Sequence, residues 1–202
     1  MRVLLPLALL FAACSVSACS NEPEGPARSG RVVTTGEAQI GGEWELVDQT
    51  GAVRTDADFL GKPQLVYFGF AYCPDVCPAS LSRMGAIADQ VDPDGDDLHY
   101  LFVTVDPERD TPEVLAQYVT AAPFAPGLVG LTGSREQVDV AMEAFRVYAQ
   151  KVEDDGSAAD YLYDHTDFIY VLDEEGKFHD LITPDESATV AAVELKRDFR
   201  IR

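Results

Sequence analysis

From residue 64 onward the chain alternates between two spacings of apolar residues. "QLVYFGF" is a continuous apolar run, the pattern of a strand buried on both faces. "ASLSRMGAIADQV" then places Leu81, Met84, Ile87, Ala88 and Val91 at helical spacing. "LHYLFVTVD" is a second buried strand. "TPEVLAQYVTAA" opens a helix with Thr111 at the cap and Pro112 in the first helical position. "GLVGLTG" is a short strand, and "SREQVDVAMEAFRVYAQKV" reads as one helix from a Ser134/Gln137 capping box, with Val138, Met142, Phe145 and Ala149 on one face. "DFIYVLD", a turn at Glu174-Glu175-Gly176 and "KFHDLI" form a hairpin, and "DESATVAAVELKRDF" closes the chain as a helix.

Alternating strands and helices followed by a hairpin and a last helix predict an α/β domain of thioredoxin-like layout, a central mixed sheet flanked by helices. Upstream, "EWELVDQTGAVRTDADFLGK" offers two short extended pieces around a turn at Gln49-Thr50-Gly51, an N-terminal β-hairpin extension of that sheet. Residues 20–36 carry Gly, Pro, Ser and charge without apolar period and read as a flexible tether.

The first residues read differently again. Arg2 precedes the apolar run "VLLPLALLFAA", and "VSAC" (Val16 to Cys19) ends it with small residues before a cysteine. The run is too short for a comfortable membrane span. The ending resembles a bacterial lipobox, which implies a signal peptide over 1–18, lipidation of Cys19 and a tether over 19–36 leading to the domain at 37–202. "FAAC" at 11–14 is a weaker competing box. The expected product is an exported, membrane-tethered lipoprotein facing the periplasm or the cell exterior.

Of four cysteines, Cys14 leaves with the signal and Cys19 takes the lipid, so Cys73 and Cys77 remain as the thiols of the folded part. An exporting compartment would oxidise such a pair by default. The net charge of −20, from 15 Lys and Arg against 35 Asp and Glu, repels phosphate backbones and makes nucleic acid an unfavourable partner.

Cys73 and Cys77 flank "PDV" at the end of the first buried strand, where open α/β sheets collect functional groups. The spacing allows a structural disulfide, a redox couple or half of a metal site. A helix N-terminus lowers a thiol pKa, and Cys77, nearer the helix, is expected to benefit most. A structural zinc ion wants four nitrogen and sulfur ligands, whereas copper(I) is satisfied by two or three soft ones. Of three histidines, His99 reads as a packing residue and His179 as a solvent-facing strand residue. His165, between Asp164 and Thr166 in "YLYDHTDF", is the favoured third donor, with neighbours able to orient its second nitrogen. A thioredoxin-type oxidoreductase would carry a proline before the strand facing the cysteines. None occurs between Pro126 and Pro184, and "DHT" stands there instead, which weakens disulfide exchange against metal binding.

"LVYFGFAYCPDVCPASL", "FVTVDPERDTPEVLAQYV" and "YLYDHTDFIYVLDEEGKF" together closely resemble the Sco/SenC family, copper-binding thioredoxin-fold proteins that serve cytochrome c oxidase assembly. The resemblance runs from about residue 37 to the C-terminus. It implies that Cys73, Cys77 and His165 are the copper ligands, and that "DPERD", with Asp106 and Arg109, is a structural loop without a catalytic role. Ala71 stands where the family often has Thr and Thr166 where Ser is common.

The implied function is a copper chaperone holding Cu(I), and with an added oxygen ligand Cu(II), for the copper-binding subunit of cytochrome c oxidase. An upstream periplasmic copper donor would supply it. The alternative is a thiol:disulfide reductase acting on the acceptor's cysteines, for which Cys73 and Cys77 are the redox pair. A third reading, a disulfide staple, gains little because so short a loop restricts the unfolded chain weakly. Oxidation of the pair would abolish the copper site and so switch metal binding.

Overall fold

The structure is a computed structural model that describes residues 40–121, 123–153 and 161–201. The expected signal peptide over 1–18, the expected tether over 19–36 and Cys19 lie outside the described residues. No helix among the described residues is long and apolar enough to cross a membrane.

Among the described residues, nine strands and four helices follow in chain order: β1 (Glu45–Asp48), β2 (Val53–Thr55), β3 (Gln64–Gly69), α1 (Val76–Val91), β4 (His99–Thr104), α2 (Pro112–Tyr118), β5 (Val129–Thr132), α3 (Arg135–Ala144), β6 (Ala149–Glu153), β7 (Tyr161–His165), β8 (Ile169–Leu172), β9 (Phe178–Ile182) and α4 (Ala188–Phe199). Seven strands form one sheet in the order β2-β1-β5-β4-β3-β8-β9, and β6 pairs with β7 in a separate two-stranded ribbon. Strands β3, β4 and β5 run parallel, while β8 pairs antiparallel with the other edge of β3. The predicted mixed sheet and its N-terminal hairpin extension are therefore both present, the hairpin joining the sheet through β1 and β5.

Every residue of β3 is buried, as its unbroken apolar run requires. Tyr67, Phe102 and Gly130 are lateral neighbours and share one face. Successive right-handed crossovers from β3 to β4 to β5 put α1 and α2 on that face. α2 lies directly over Gly130, where an added Cβ would meet Val119 Cγ1 at 2.8 Å. α1 and α4 pack against each other. On the opposite face Phe68 meets Phe145 at 5.1 Å and Tyr170 at 5.9 Å, an aromatic cluster that pins the end of α3.

The structure departs from the sequence expectation in two places. α1 begins at Val76, so Cys77 lies inside its first turn rather than just beside the helix start. The segment 134–152 is not one helix: the Ser134/Gln137 capping box opens α3 as expected, but the helix stops at Ala144. Arg146 takes φ 57°, the left-handed conformation that ends helices, and Ala149 joins β6. Ala149 fits a helical period, yet "AQKVE" gains backbone pairing with "YLYDH" instead. His165 is consequently the last residue of a strand of its own, β7.

Gly85 illustrates how tightly α1 is seated. Glycine in a helix interior costs about 1 kcal/mol against alanine, so Gly85→Ala should stabilise α1 in isolation. Here an added Cβ would penetrate the Pro123 carbonyl oxygen. Gly85→Ala is expected to destabilise the protein by about 1–3 kcal/mol, read as a fall in the thermal unfolding midpoint.

Candidate metal centre

The site forms where β3 gives way to α1. After Gly69 the chain turns, with the Cys73 N–H donating to the Phe70 carbonyl at 3.1 Å, and enters α1 through Asp75. Asp75 makes no side-chain cap. The Cys73 sulfur takes that place, accepting the Cys77 N–H at 3.4 Å. Both cysteines are free thiols, Cys73 at 8% exposure and Cys77 at 0%.

These positions reverse the expected order of acidity. Cys73 is the thiol held well below the usual range: first by the hydrogen bond from the Cys77 thiol, against its own burial, then by His165 and the backbone N–H groups of Asp75 and Cys77. Cys77 is pushed up, chiefly by burial and then by the neighbouring Cys73 charge, although a backbone contact at Phe70 and the Tyr67 hydroxyl work the other way. The Cys73 sulfur, which accepts hydrogen bonds, is therefore the more acidic, and the deeply buried sulfur within the first turn of the helix the less.

His165 reaches the thiols from the end of β7. Its Nδ1 lies 2.9 Å from the Thr166 carbonyl oxygen, which can only accept, so Nδ1 carries the proton. Nε2 thus presents its lone pair 3.3 Å from Cys77 Sγ. Tyr67 and Phe70 meet the imidazole edge-on at 6.2 and 5.9 Å and fix its plane. Burial works to lower the His165 pKa, but the Cys73 contact and the Thr166 carbonyl outweigh it and the net direction is upward. The orienting group is the Thr166 backbone; the Asp164 side chain is exposed and the Thr166 hydroxyl meets Tyr148 instead.

The three donor atoms all lie within 4.8 Å of one another. Sulfur binds soft metals at about 2.3 Å, so one ion fits among them with small adjustments. Among the described residues this is the only such cluster of His, Cys, Asp and Glu side chains. His99 stays apart, half-buried at the head of β4 and edge-on to Phe59 at 5.5 Å. His179 pairs with Asp198 at 3.1 Å on the surface.

The loop after β4 supports the site from behind. Asp106 is fully buried and pairs with Arg109 Nε. The Arg109 guanidinium lies over Tyr161 at 3.7 Å, Tyr72 at 5.1 Å and Phe70 at 5.7 Å, and its Nη1 donates to the Tyr161 carbonyl at 3.0 Å. It therefore touches both the cysteine loop and the strand that carries His165. Asp110 Oδ2 accepts the Ala71 N–H at 2.9 Å and the Thr104 hydroxyl at 2.6 Å. The sequence marks "DPERD" as structural but not which segments it joins, because those partners lie far along the chain.

Two thiols and an imidazole converging at the C-terminal end of β3 define a thioredoxin-like protein with a soft-donor triad at its active edge. The chain belongs to the SCO1/SenC family, whose family profile matches residues 32–200. It is 45% identical over 150 residues to the SCO1 homolog of Homo sapiens mitochondria, covering 72% of this chain and 48% of that protein. It is 41% identical over 155 residues to SenC of Rhodobacter capsulatus, covering 77% and 68%. The chain thus spans about half the length of the human relative. Among solved structures it is similar to copper-bound ScoI of Arabidopsis thaliana (TM-score 0.74, 34% identity, 80% of this chain and 98% of that one). Copper-bound ScoI of Bradyrhizobium japonicum is also similar (TM-score 0.70, 39% identity, 78% and 98%).

Two outcomes follow from this geometry. At Gly69 an added Cβ would lie 2.8 Å from Cys77 Sγ, so Gly69→Ala displaces that sulfur. Thiol-alkylation kinetics are expected to show faster reaction at Cys77 in the variant. The second concerns Asp110, whose carboxyl is pushed up from 3.8 to about 6 by burial, against the Thr104 and Ala71 hydrogen bonds. A folded-state pKa above the unfolded one gives stability that is complete at low pH and is lost as pH rises from about 4 to about 6. Asp110→Asn keeps an acceptor oxygen without the charge. Denaturant unfolding is expected to show the variant gaining on the parent across that window, by about 3 kcal/mol at neutral pH.

Proposed function

We propose that this chain is a copper chaperone that binds one copper ion through Cys73, Cys77 and His165 and passes it on during cytochrome c oxidase assembly. The observation that carries the reading is the convergence of the three donor atoms within 4.8 Å, with the imidazole already in the tautomer a metal needs. Two thiolates and one imidazole suit Cu(I) and leave room for a further oxygen ligand on Cu(II). The Arabidopsis and Bradyrhizobium relatives, at 34% and 39% identity, are described with copper bound. The family resemblance supplies the acceptor, the copper-binding subunit of cytochrome c oxidase, and calls for an upstream periplasmic donor.

Release proceeds by ligand exchange, the acceptor's thiols displacing the chain's donors one at a time. Cys73, the less enclosed of the two buried thiols, exchanges before Cys77, which is fully enclosed. The N-terminal segment supports an exported, membrane-tethered domain facing the periplasm or the cell exterior, with a signal peptide over 1–18, a lipid on Cys19 and a tether over 19–36.

Anaerobic titration of the reduced protein with Cu(I) tests the assignment. The parent is expected to take up one equivalent, and Cys73→Ala, Cys77→Ala and His165→Ala each to lose tight binding. Parent-like affinity in His165→Ala would remove the imidazole from the ligand set. His165→Ala should still form the Cys73–Cys77 disulfide, so retained thiol exchange together with lost copper uptake separates chaperone from reductase.

A further inference from the structure

Asp167 lies two residues beyond His165, in the stretch between β7 and β8. Its Oδ1 accepts two hydrogen bonds at once, from the Tyr67 hydroxyl at 2.9 Å and from the Ser80 hydroxyl at 2.8 Å. Tyr67 belongs to β3, is fully buried and meets the His165 ring edge-on. Ser80 is buried on α1, three residues after Cys77 and therefore on the same side of the helix. Arg83 holds Ser80 in place, its Nη2 lying 3.4 Å from the Ser80 hydroxyl while Nη1 donates to the Thr183 carbonyl at 2.6 Å.

We infer that Asp167 is a positioning residue for the metal centre, locking the turn that carries His165 onto the strand and helix that carry the thiols. This rests on the copper reading above. The contacts close a ring: from His165 Nε2 across 3.3 Å to Cys77 Sγ, along one turn of α1 to Ser80, across to Asp167, and back two residues to His165. The neighbouring Thr166 is tied instead to Tyr148 at the start of the β6–β7 ribbon, outside the main sheet. Asp167 therefore fastens the imidazole's segment to the body of the domain, while Thr166 fastens it to the ribbon. A single oxygen with two lone pairs does this, and no negative charge is required. An asparagine carbonyl oxygen can accept the same two hydroxyl protons, and an alanine cannot.

The test compares the parent with Asp167→Ala, Asp167→Asn and Ser80→Ala, using Cu(I) retention against a chromophoric chelator and electron paramagnetic resonance of the Cu(II) form. Amide hydrogen exchange across 165–168 in the copper-free protein gives a readout independent of the metal. Asp167→Ala is expected to weaken copper retention by about 10-fold to 100-fold, to change the Cu(II) hyperfine pattern and to speed exchange in that segment. Asp167→Asn is expected to match the parent in all three, and Ser80→Ala to fall between. Parent-like copper retention in Asp167→Ala overturns the inference, as does an Asp167→Asn that fails as fully as the alanine. If thermal melts show that Asp167→Ala does not fold, Ser80→Ala decides: unchanged copper retention and exchange there overturn the assignment. A parent that binds no copper overturns the copper reading and this inference with it, an outcome distinct from failure of the Asp167 variants alone.

Discussion

The centre of this molecule depends on how the chain passes from β3 into α1. A helix leaves its first N–H groups without partners, and an oxygen side chain ordinarily caps one of them. Asp75 does not, and the Cys73 sulfur accepts the Cys77 N–H instead. One atom thus closes the helix and serves as a donor of the triad. This couples fold and chemistry directly, because the positive end of the helix that makes the sulfur a good cap also makes it a good thiolate. The second sulfur is then carried inward by the same first turn, onto Gly69 and away from water.

A site assembled from chain segments this far apart needs more than apolar burial, which is non-directional, to hold its geometry. The buried Asp106–Arg109 pair answers that need. Buried ion pairs contribute little net stability against well-packed apolar residues, yet they fix orientation because a lone buried charge is costly. Arg109 spreads this constraint across Phe70, Tyr72 and Tyr161, so the cysteine loop and β7 are registered against a single planar group. Asp110 adds a tether to Ala71 at the expense of burying a carboxylate that resists ionisation. The arrangement gives up some stability at neutral pH for a defined separation between thiols and imidazole.

Local order was largely legible in the sequence and long-range order was not. The buried strands β3 and β4, the caps at Thr111 and Ser134 and the β1–β2 turn all follow from patterns within a few residues, and each is present. The β6 strand was hidden because Ala149 fits a helical period, and only the left-handed Arg146 and pairing with β7 break it. The donor triad was named through the family resemblance that "CPDVC" and "DHT" help to carry, but the relative acidity of its thiols was not legible. That order depends on Cys77 lying inside the first turn of α1, where it is fully buried, rather than beside the helix start. Asp167, Tyr67 and Ser80 carry no signature at all, since their hydrogen bonds join residues 87 and 100 positions apart.

The different environments of the two thiols bear on how copper would enter. Cys73 favours the thiolate, whereas Cys77 is held neutral by burial and by the charge beside it. Two adjacent thiolates without a cation would place two negative charges in a poorly solvated pocket of a chain already at −20. A copper(I) ion would supply the missing positive charge, and Cys77 would give up its proton as the ion took its place. Uptake would then begin at Cys73, the less enclosed and more acidic sulfur, and be completed at Cys77. Release to an acceptor would reverse the order, with reprotonation of Cys77 helping to drive the ion out.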